Sequence, residues 1–135
     1  MKPPAIQESL LQWEENYKRG LLSFWMMLLL AGQEMYAYEM QAAVEALSQG
    51  TLSASENSIY RALRRFTEAG LVRSEVQPSD LGPPRRYFSL TPAGRELLEA
   101  FIRRNILVFQ SPPVAEAIRG VLESEEQVEV KDGKR

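Results

Sequence analysis

A change of period constrains this chain most. Across residues 71–90 the apolar residues leave the three-to-four-residue spacing of helices and alternate as strands do. Leu71 to Gln77 reads as one strand and Arg85 to Leu90 as its return, with Phe88 and Leu90 on one face and Arg85, Tyr87 and Ser89 on the other. The Pro- and Gly-rich segment 78–84 between them predicts a turn. An isolated hairpin is at best marginally stable in water, so it has to pack on the helices around it. The fold class expected is therefore mainly α with a small β-hairpin, an α+β arrangement.

The helices have distinct characters. Ile6 to Lys18 is amphipathic, with Ile6, Leu10, Trp13 and Tyr17 at helical spacing, and Gly20 breaks it. Leu21 to Ala31 is apolar nearly all round, which predicts a buried helix. It is too short to cross a bilayer, which takes about 20 residues, and too far along the chain for a signal peptide. Tyr36 to Leu47 predicts a third helix, with Tyr36, Met40, Ala43, Val44 and Leu47 inward and Gly50 as a left-handed cap.

Ser53 and Glu56 have the spacing of a capping box, which predicts a fourth helix from Ala54 to Ala69 with Gly70 as its C-cap. On it Ile59, Leu63 and Phe66 share one face, and Asn57, Arg61 and Arg64 share the other, flanked by Ser58 and Arg65. After the hairpin, Thr91 as N-cap and Pro92 at the first position open a long helix expected to reach Gln110. Ser111, Pro112 and Pro113 stop it. Val114 to Leu122 predicts one more short helix, and the charged residues from 123 onward predict a disordered tail. The organisation expected is an N-terminal helical extension over 1–19, a central domain over 20–90, C-terminal helices over 91–122 and a tail over 123–135.

Composition removes whole classes of chemistry. With no cysteine and no histidine there are no disulfides, no thiol or imidazole catalysis and no Cys/His zinc site. No Gly-rich phosphate loop or nucleophile elbow is present, and no acidic spacing suggests a metal. The expectation is a non-enzyme with neither cofactor nor metal, located in the cytoplasm.

The net charge of −2 hides a strong asymmetry. Residues 1–56 carry 3 basic and 7 acidic groups, net −4, and residues 96–135 carry 6 and 8, net −2. Residues 57–95 carry 7 arginines against Glu68, Glu75 and Asp80, net +4. Arginine's planar fork donates paired hydrogen bonds to phosphates and to guanine edges.

The order helix, helix, turn, helix, hairpin is that of a winged helix-turn-helix, whose second helix enters the major groove of duplex DNA. That helix must be fixed to a core on one side and carry groove-reading side chains on the other, as the Ala54–Ala69 segment does. Asn57 and Ser58 sit near its N-terminal end. Asn57 suits adenine and Arg61 suits guanine, while Arg64 and Arg65 suit phosphates, which position without specifying. Arg85 and Arg86 would reach a neighbouring phosphate or the minor groove. Tyr60 lies on the boundary of the two faces and suits either core or phosphate. The same arginines also fit a solvated helix face and edge-strand charges that deter aggregation, and Trp13, Phe24 and Trp25 fit a core better than a ligand cage.

At this level of detail the chain resembles the PadR family of bacterial transcriptional regulators. The run Met35, Tyr36, Ala37, Tyr38, Glu39 is similar to the family's M-Y-G-Y-E, with Ala37 in place of the usual Gly. Residues 58–66, from Ser58 to Phe66, resemble its T-L-Y-x-x-L-x-R-L recognition helix, and Glu68, Ala69, Gly70, Leu71, Val72 its E-x-G-L-V exit. Residues 82–94 resemble its G-P-x-R-R-Y-Y-x-L-T-x-x-G wing. The likeness spans about Leu21 to Leu98.

The resemblance implies a homodimeric repressor on a partly palindromic operator, associated with the nucleoid. It implies DNA contact through Tyr60, Arg61, Arg65, Arg85 and Arg86. It also implies dimerisation through the C-terminal helix, with Leu97, Leu98, Phe101, Ile102 and Phe109. The short C-terminal part is similar to a small subclass with one main dimer helix. Some of its members bind flat aromatic drugs using a tryptophan on that helix, where this chain has Phe101 and Phe109. The short chain and N-terminal extension are also similar to a circadian clock regulator of the family, a likeness that no motif carries. Two alternatives stand beside the repressor. One is a regulator gated by an aromatic effector in a pocket lined by Trp13, Trp25 and the dimer helices. The other is a protein-interaction module that has abandoned DNA.

Overall fold

A computed structural model describes the backbone of residues 3–133 and the side chains of residues 6–123. Two compact units divide the chain, Met1–Leu98 and Glu99–Arg135. The first contains α1 (Pro3–Arg19), α2 (Leu22–Gly32), β1 (Met35–Tyr36), α3 (Ala37–Leu47), α4 (Glu56–Glu68), β2 (Val72–Ser79), β3 (Gly82–Leu90) and most of α5 (Pro92–Phe101). The second continues through a π-helical turn (Ile102–Ile106) and a 3-10 turn (Leu107–Gln110) into α6 (Pro112–Gly133). The fold class is as expected, mainly helical with a small antiparallel sheet.

Three helices and the sheet enclose the core. Met26, Met27 and Leu30 of α2, Met40 and Val44 of α3, and Ile59, Ala62, Leu63 and Phe66 of α4 are buried with Val72 and Phe88. Each large apolar side chain so buried contributes about 2 kcal/mol. Among the described residues no buried side-chain nitrogen or oxygen lacks a hydrogen-bond partner, and no helix is long and apolar enough to cross a membrane.

The sheet has three strands rather than two, in the order β1-β3-β2. Met35 pairs with Phe88 and Tyr36 with Tyr87. A two-residue strand leaves too short an alternation to be read from sequence, so Tyr36, expected at the head of a helix, ends a strand instead. Its backbone N–H donates to the Glu39 carboxylate at 3.2 Å, and α3 begins at the next residue. At the far end of α3, Leu47 is not inward but 41% exposed. The first left-handed residue there is Gln49, φ 55°, followed by Gly50, φ 78°. Gly50 N–H bonds the Glu45 carbonyl at 2.8 Å and Gln49 N–H that of Ala46 at 3.1 Å, a Schellman closure.

The hairpin turn is tighter than residues 78–84 predict. Ser79 pairs with Gly82, leaving Asp80 and Leu81 as the loop. Neither loop residue has positive φ, so this is not a primed turn of the kind that matches strand twist. A register shift between Gln77 and Ser79 accompanies it. The shift sets Pro78 of β2 opposite two residues of β3, Pro83 and Pro84, a bulge on β3 of the kind that adds local twist and accommodates proline.

The wing and α4 leave the core through one junction. Thr91 donates its hydroxyl to the Gly70 carbonyl at 2.7 Å and accepts the Gly94 N–H at 3.1 Å. Its own N–H bonds the Leu71 carbonyl at 3.0 Å. Gly94 is buried, and a Cβ there would stand 2.0 Å from the Leu71 oxygen, so only glycine fits at this crossing.

In the second unit the single helix expected to reach Gln110 breaks after Phe101. Asn105 donates its side-chain amide to the Phe101 carbonyl at 3.2 Å, a local bond that competes with regular helix hydrogen bonding. Ser111 is extended and α6 starts at Pro112, a position where proline is favoured. The helix continues to Gly133, through most of the segment whose polarity predicts a tail. That segment holds no Pro or Gly before Gly133. Residues 134–135 of that expectation, and residues 1–2 of the N-terminal extension, lie outside the described residues.

Candidate nucleic-acid interface

The N-cap of α4 is Ser55, not Ser53. Ser55 is extended (φ −75°, ψ 157°), and its hydroxyl oxygen accepts the Ser58 N–H at 3.1 Å. Serines at 53 and 55 compete for the same role. Ala54, 8% exposed, is buried ahead of the cap and Ile59 is buried four residues into the helix, the arrangement of a hydrophobic staple. At the other end Leu71 N–H bonds the Phe66 carbonyl at 2.9 Å and Gly70, φ 77°, closes a Schellman motif. Both ends of α4 are thus fixed by local bonds, and its inner face is core.

The outer face carries Asn57, Tyr60, Arg61, Arg64 and Arg65, all exposed, with Ser58 half-buried beside them. Tyr60, ambiguous from spacing, is 45% exposed and belongs to this face. Among the described residues both ion pairs, Lys18–Glu14 and Arg19–Glu15, lie within α1. Among the described residues no carboxylate forms an ion pair with the arginines of α4 or of the hairpin.

The strand register separates the two wing arginines. Arg86 lies opposite Val76 and shares the face of Phe88, and it donates to the Ser74 hydroxyl at 2.9 Å. Arg85 lies opposite Gln77 on the face of Tyr87. Its guanidinium carbon stands 4.6 Å from the centre of the Tyr36 ring. That ring is stacked on Tyr38 (6.2 Å, 9°) and tilted against Tyr87 (5.5 Å, 56°). Both arginines are exposed, and a strand's alternation sends neighbours to opposite faces, so their side chains leave β3 on different sides.

Several residues of this region escaped sequence reasoning. Tyr38 and Ser74 carry no arginine-like signature, and the spacing of residues 36–47 predicts a helix at Tyr36. The period-two repeat of Arg85 and Tyr87 was the one available signal for the aromatic cluster. Lys18 and Arg19 were also missed: with Thr51, Ser53, Ser55 and Ser58 they line a cleft of about 560 Å³ beside the start of α4. The cleft is not uniformly cationic, because Glu15 lines it too.

Of the residues expected to form a dimer, Leu97 is 48% and Phe109 50% exposed, and Phe101 and Ile102 are half-buried. Leu98 is 4% exposed and belongs to its own chain's core. One helical step of 100° turns it away from Leu97. Leu107 and Val108 are exposed beside Phe109. On α1 the spaced residues Ile6, Leu10, Trp13 and Tyr17 are all at least half exposed.

Known proteins share this fold. The model of the transcriptional regulator PadR-like family matches residues 26–100. A PadR-like transcriptional regulator from Bacillus cereus is 28% identical, with a TM-score of 0.60 over 77% of this chain and 93% of that one. A transcriptional regulator from Clostridium thermocellum is similar in fold at 20% identity, TM-score 0.62, covering 70% of this chain and 89% of that one. Bacillus subtilis PadR, solved in complex with operator DNA, is similar in fold at 20% identity and TM-score 0.58, over 63% of this chain and 49% of that one. No curated protein gives a significant sequence match.

Proposed function

For a chain that belongs to the PadR-like family of transcriptional regulators, we propose a homodimeric repressor that binds a partly palindromic operator, one half-site per subunit. In this reading the outer face of α4 lies in the major groove. Asn57 and Arg61, near its N-terminal end, read base edges. Ser58, Tyr60, Arg64 and Arg65 contact phosphates, and the hairpin brings Arg85 and Arg86 to the flanking backbone.

The observation that carries the reading is the set of exposed arginines on α4 with no carboxylate partner among the described residues, on a helix whose other face is core. A charge cluster left uncompensated by its own chain repels itself, and polyanion binding relieves that repulsion. The solved relative with operator DNA supports the same choice of partner. Mobility shift of genomic fragments with wild type and Arg61→Ala tests it. The proposal expects specific complexes to weaken, and equal affinity of the two proteins overturns the proposed reading face.

Dimerisation is supported by exposed apolar side chains, which a lone subunit leaves in water. Leu97, Leu107, Val108 and Phe109 are exposed, as is the stripe of α1. Phe101 and Ile102 join the proposed interface, and Leu98 does not. Sedimentation of wild type and Phe109→Glu distinguishes a dimer that this charge weakens from a monomer that it leaves unchanged.

A further inference from the structure

The geometry points to Tyr36 as a positioning residue for DNA binding: its ring presets Arg85 for a phosphate, while the neighbouring Arg86 is held separately on the opposite face of the wing. This rests on the DNA-binding reading above and adds a residue and a division of labour to it.

Three observations support the assignment. The Arg85 guanidinium carbon lies 4.6 Å from the Tyr36 ring centre, inside the roughly 6 Å limit of a cation–π contact. The ring is itself held, by Tyr38 on one contact, by Tyr87 on another and by strand pairing of Tyr36 with Tyr87. Tyr36 also immediately precedes α3, and α3 packs on α4. One tyrosine therefore ties the wing's arginine to the helix pair that carries the reading face. Arg86 has no such link, because its bond is to Ser74 within the hairpin.

The physical reason to hold an arginine in advance is entropy. Its long side chain loses about as much rotamer freedom on docking as any residue does. An aromatic face restrains it beforehand and leaves its N–H donors directed outward for an anion. An exposed cation–π contact is worth about 0.5–1 kcal/mol, a two- to fivefold change in affinity per half-site at 1.36 kcal/mol per decade. A purely structural role for the tyrosine predicts something different, namely lost stability with no dependence on Arg85.

The test uses the full chain and a labelled duplex DNA at fixed low salt. Affinities are measured for wild type, Tyr36→Phe, Tyr36→Leu, Arg85→Gln and the Tyr36→Leu/Arg85→Gln pair. Nuclear magnetic resonance of the DNA-free protein reads the Arg85 side-chain protons, which a ring face shifts upfield. Positioning predicts that Tyr36→Phe binds within twofold of wild type, that Tyr36→Leu loses two- to fivefold, and that Tyr36→Leu adds nothing once Arg85 is glutamine. It also predicts an upfield shift that Tyr36→Phe keeps. Equal losses from Tyr36→Leu in both arginine backgrounds overturn it, as does wild-type affinity for Tyr36→Leu. Random-coil Arg85 shifts in wild type overturn it even if Tyr36→Leu does not fold. Binding by wild type without coupling sinks the positioning role alone, whereas wild type that binds no duplex DNA sinks the functional reading and this role together.

Discussion

The α4 helix and the hairpin both present exposed arginines, yet they hold them by opposite means. On α4 the backbone is rigid: Ser55 caps one end, Gly70 closes the other, and Ile59, Ala62, Leu63 and Phe66 are buried beneath. Arg61, Arg64 and Arg65 have no side-chain partner among the described residues and gain their position from the helix alone. In the hairpin most residues from 78 to 86 are exposed, and the ribbon there has little core to fix it. Its arginines are held individually, Arg85 on Tyr36 and Arg86 on Ser74. A rigid element can leave its side chains loose, while a soft one has to restrain them.

The largest expected effect lies where the two regions meet. Gly94→Ala drives a methyl group into the Leu71 carbonyl and should cost about 3 kcal/mol in denaturant unfolding. Retained stability would mean that helix exit and wing exit are not locked together. On the helix side, Arg61→Ala should lose about 2 kcal/mol of discrimination between specific and random DNA, with non-specific affinity changing less. Equal loss on both DNAs would make Arg61 a phosphate contact and α4 a backbone-binding surface only.

Smaller changes sharpen the claim about rigidity. Ser55→Ala removes the acceptor for the Ser58 N–H and should cost about 1 kcal/mol. Hydrogen exchange should show that loss first in the opening turn of α4 and leave the hairpin amides unchanged. Gln49→Gly relieves a left-handed non-glycine and should stabilise by about 0.5 kcal/mol, the relief being partly offset by unfolded-chain entropy. No gain in melting temperature would show that the turn before α4 absorbs this strain without cost.

The same contrast explains what could be read from the sequence. The α4 reading face was legible because helical periodicity is long and its two faces differ in chemistry, so that Ile59, Leu63 and Phe66 separate cleanly from Arg61 and Arg64. Its start was misplaced because Ser53 and Ser55 both satisfy a cap pattern, and only backbone geometry decides between them. Arg85 and Arg86 were visible as neighbours, but their division depends on alternation and on cross-strand partners far away in sequence. Tyr36 lies 49 positions from Arg85, and the two-residue strand that brings them together has no local signature. Leu98 shows the reverse limit: its apolar character was evident, but whether it faced the core or a partner was set by tertiary packing.

In the proposed function the α4 arginines form a phosphate- and base-contacting surface. The salt dependence of duplex binding tests it most directly, because each phosphate neutralised releases counterions and adds about 0.9 to the log–log slope. Anisotropy titrations of one labelled duplex across a salt series would compare wild type with Arg64→Ala/Arg65→Ala. Phosphate contact by Arg64 and Arg65 predicts a slope shallower by about 2 per bound subunit in the double variant. An identical slope in the two proteins would contradict it.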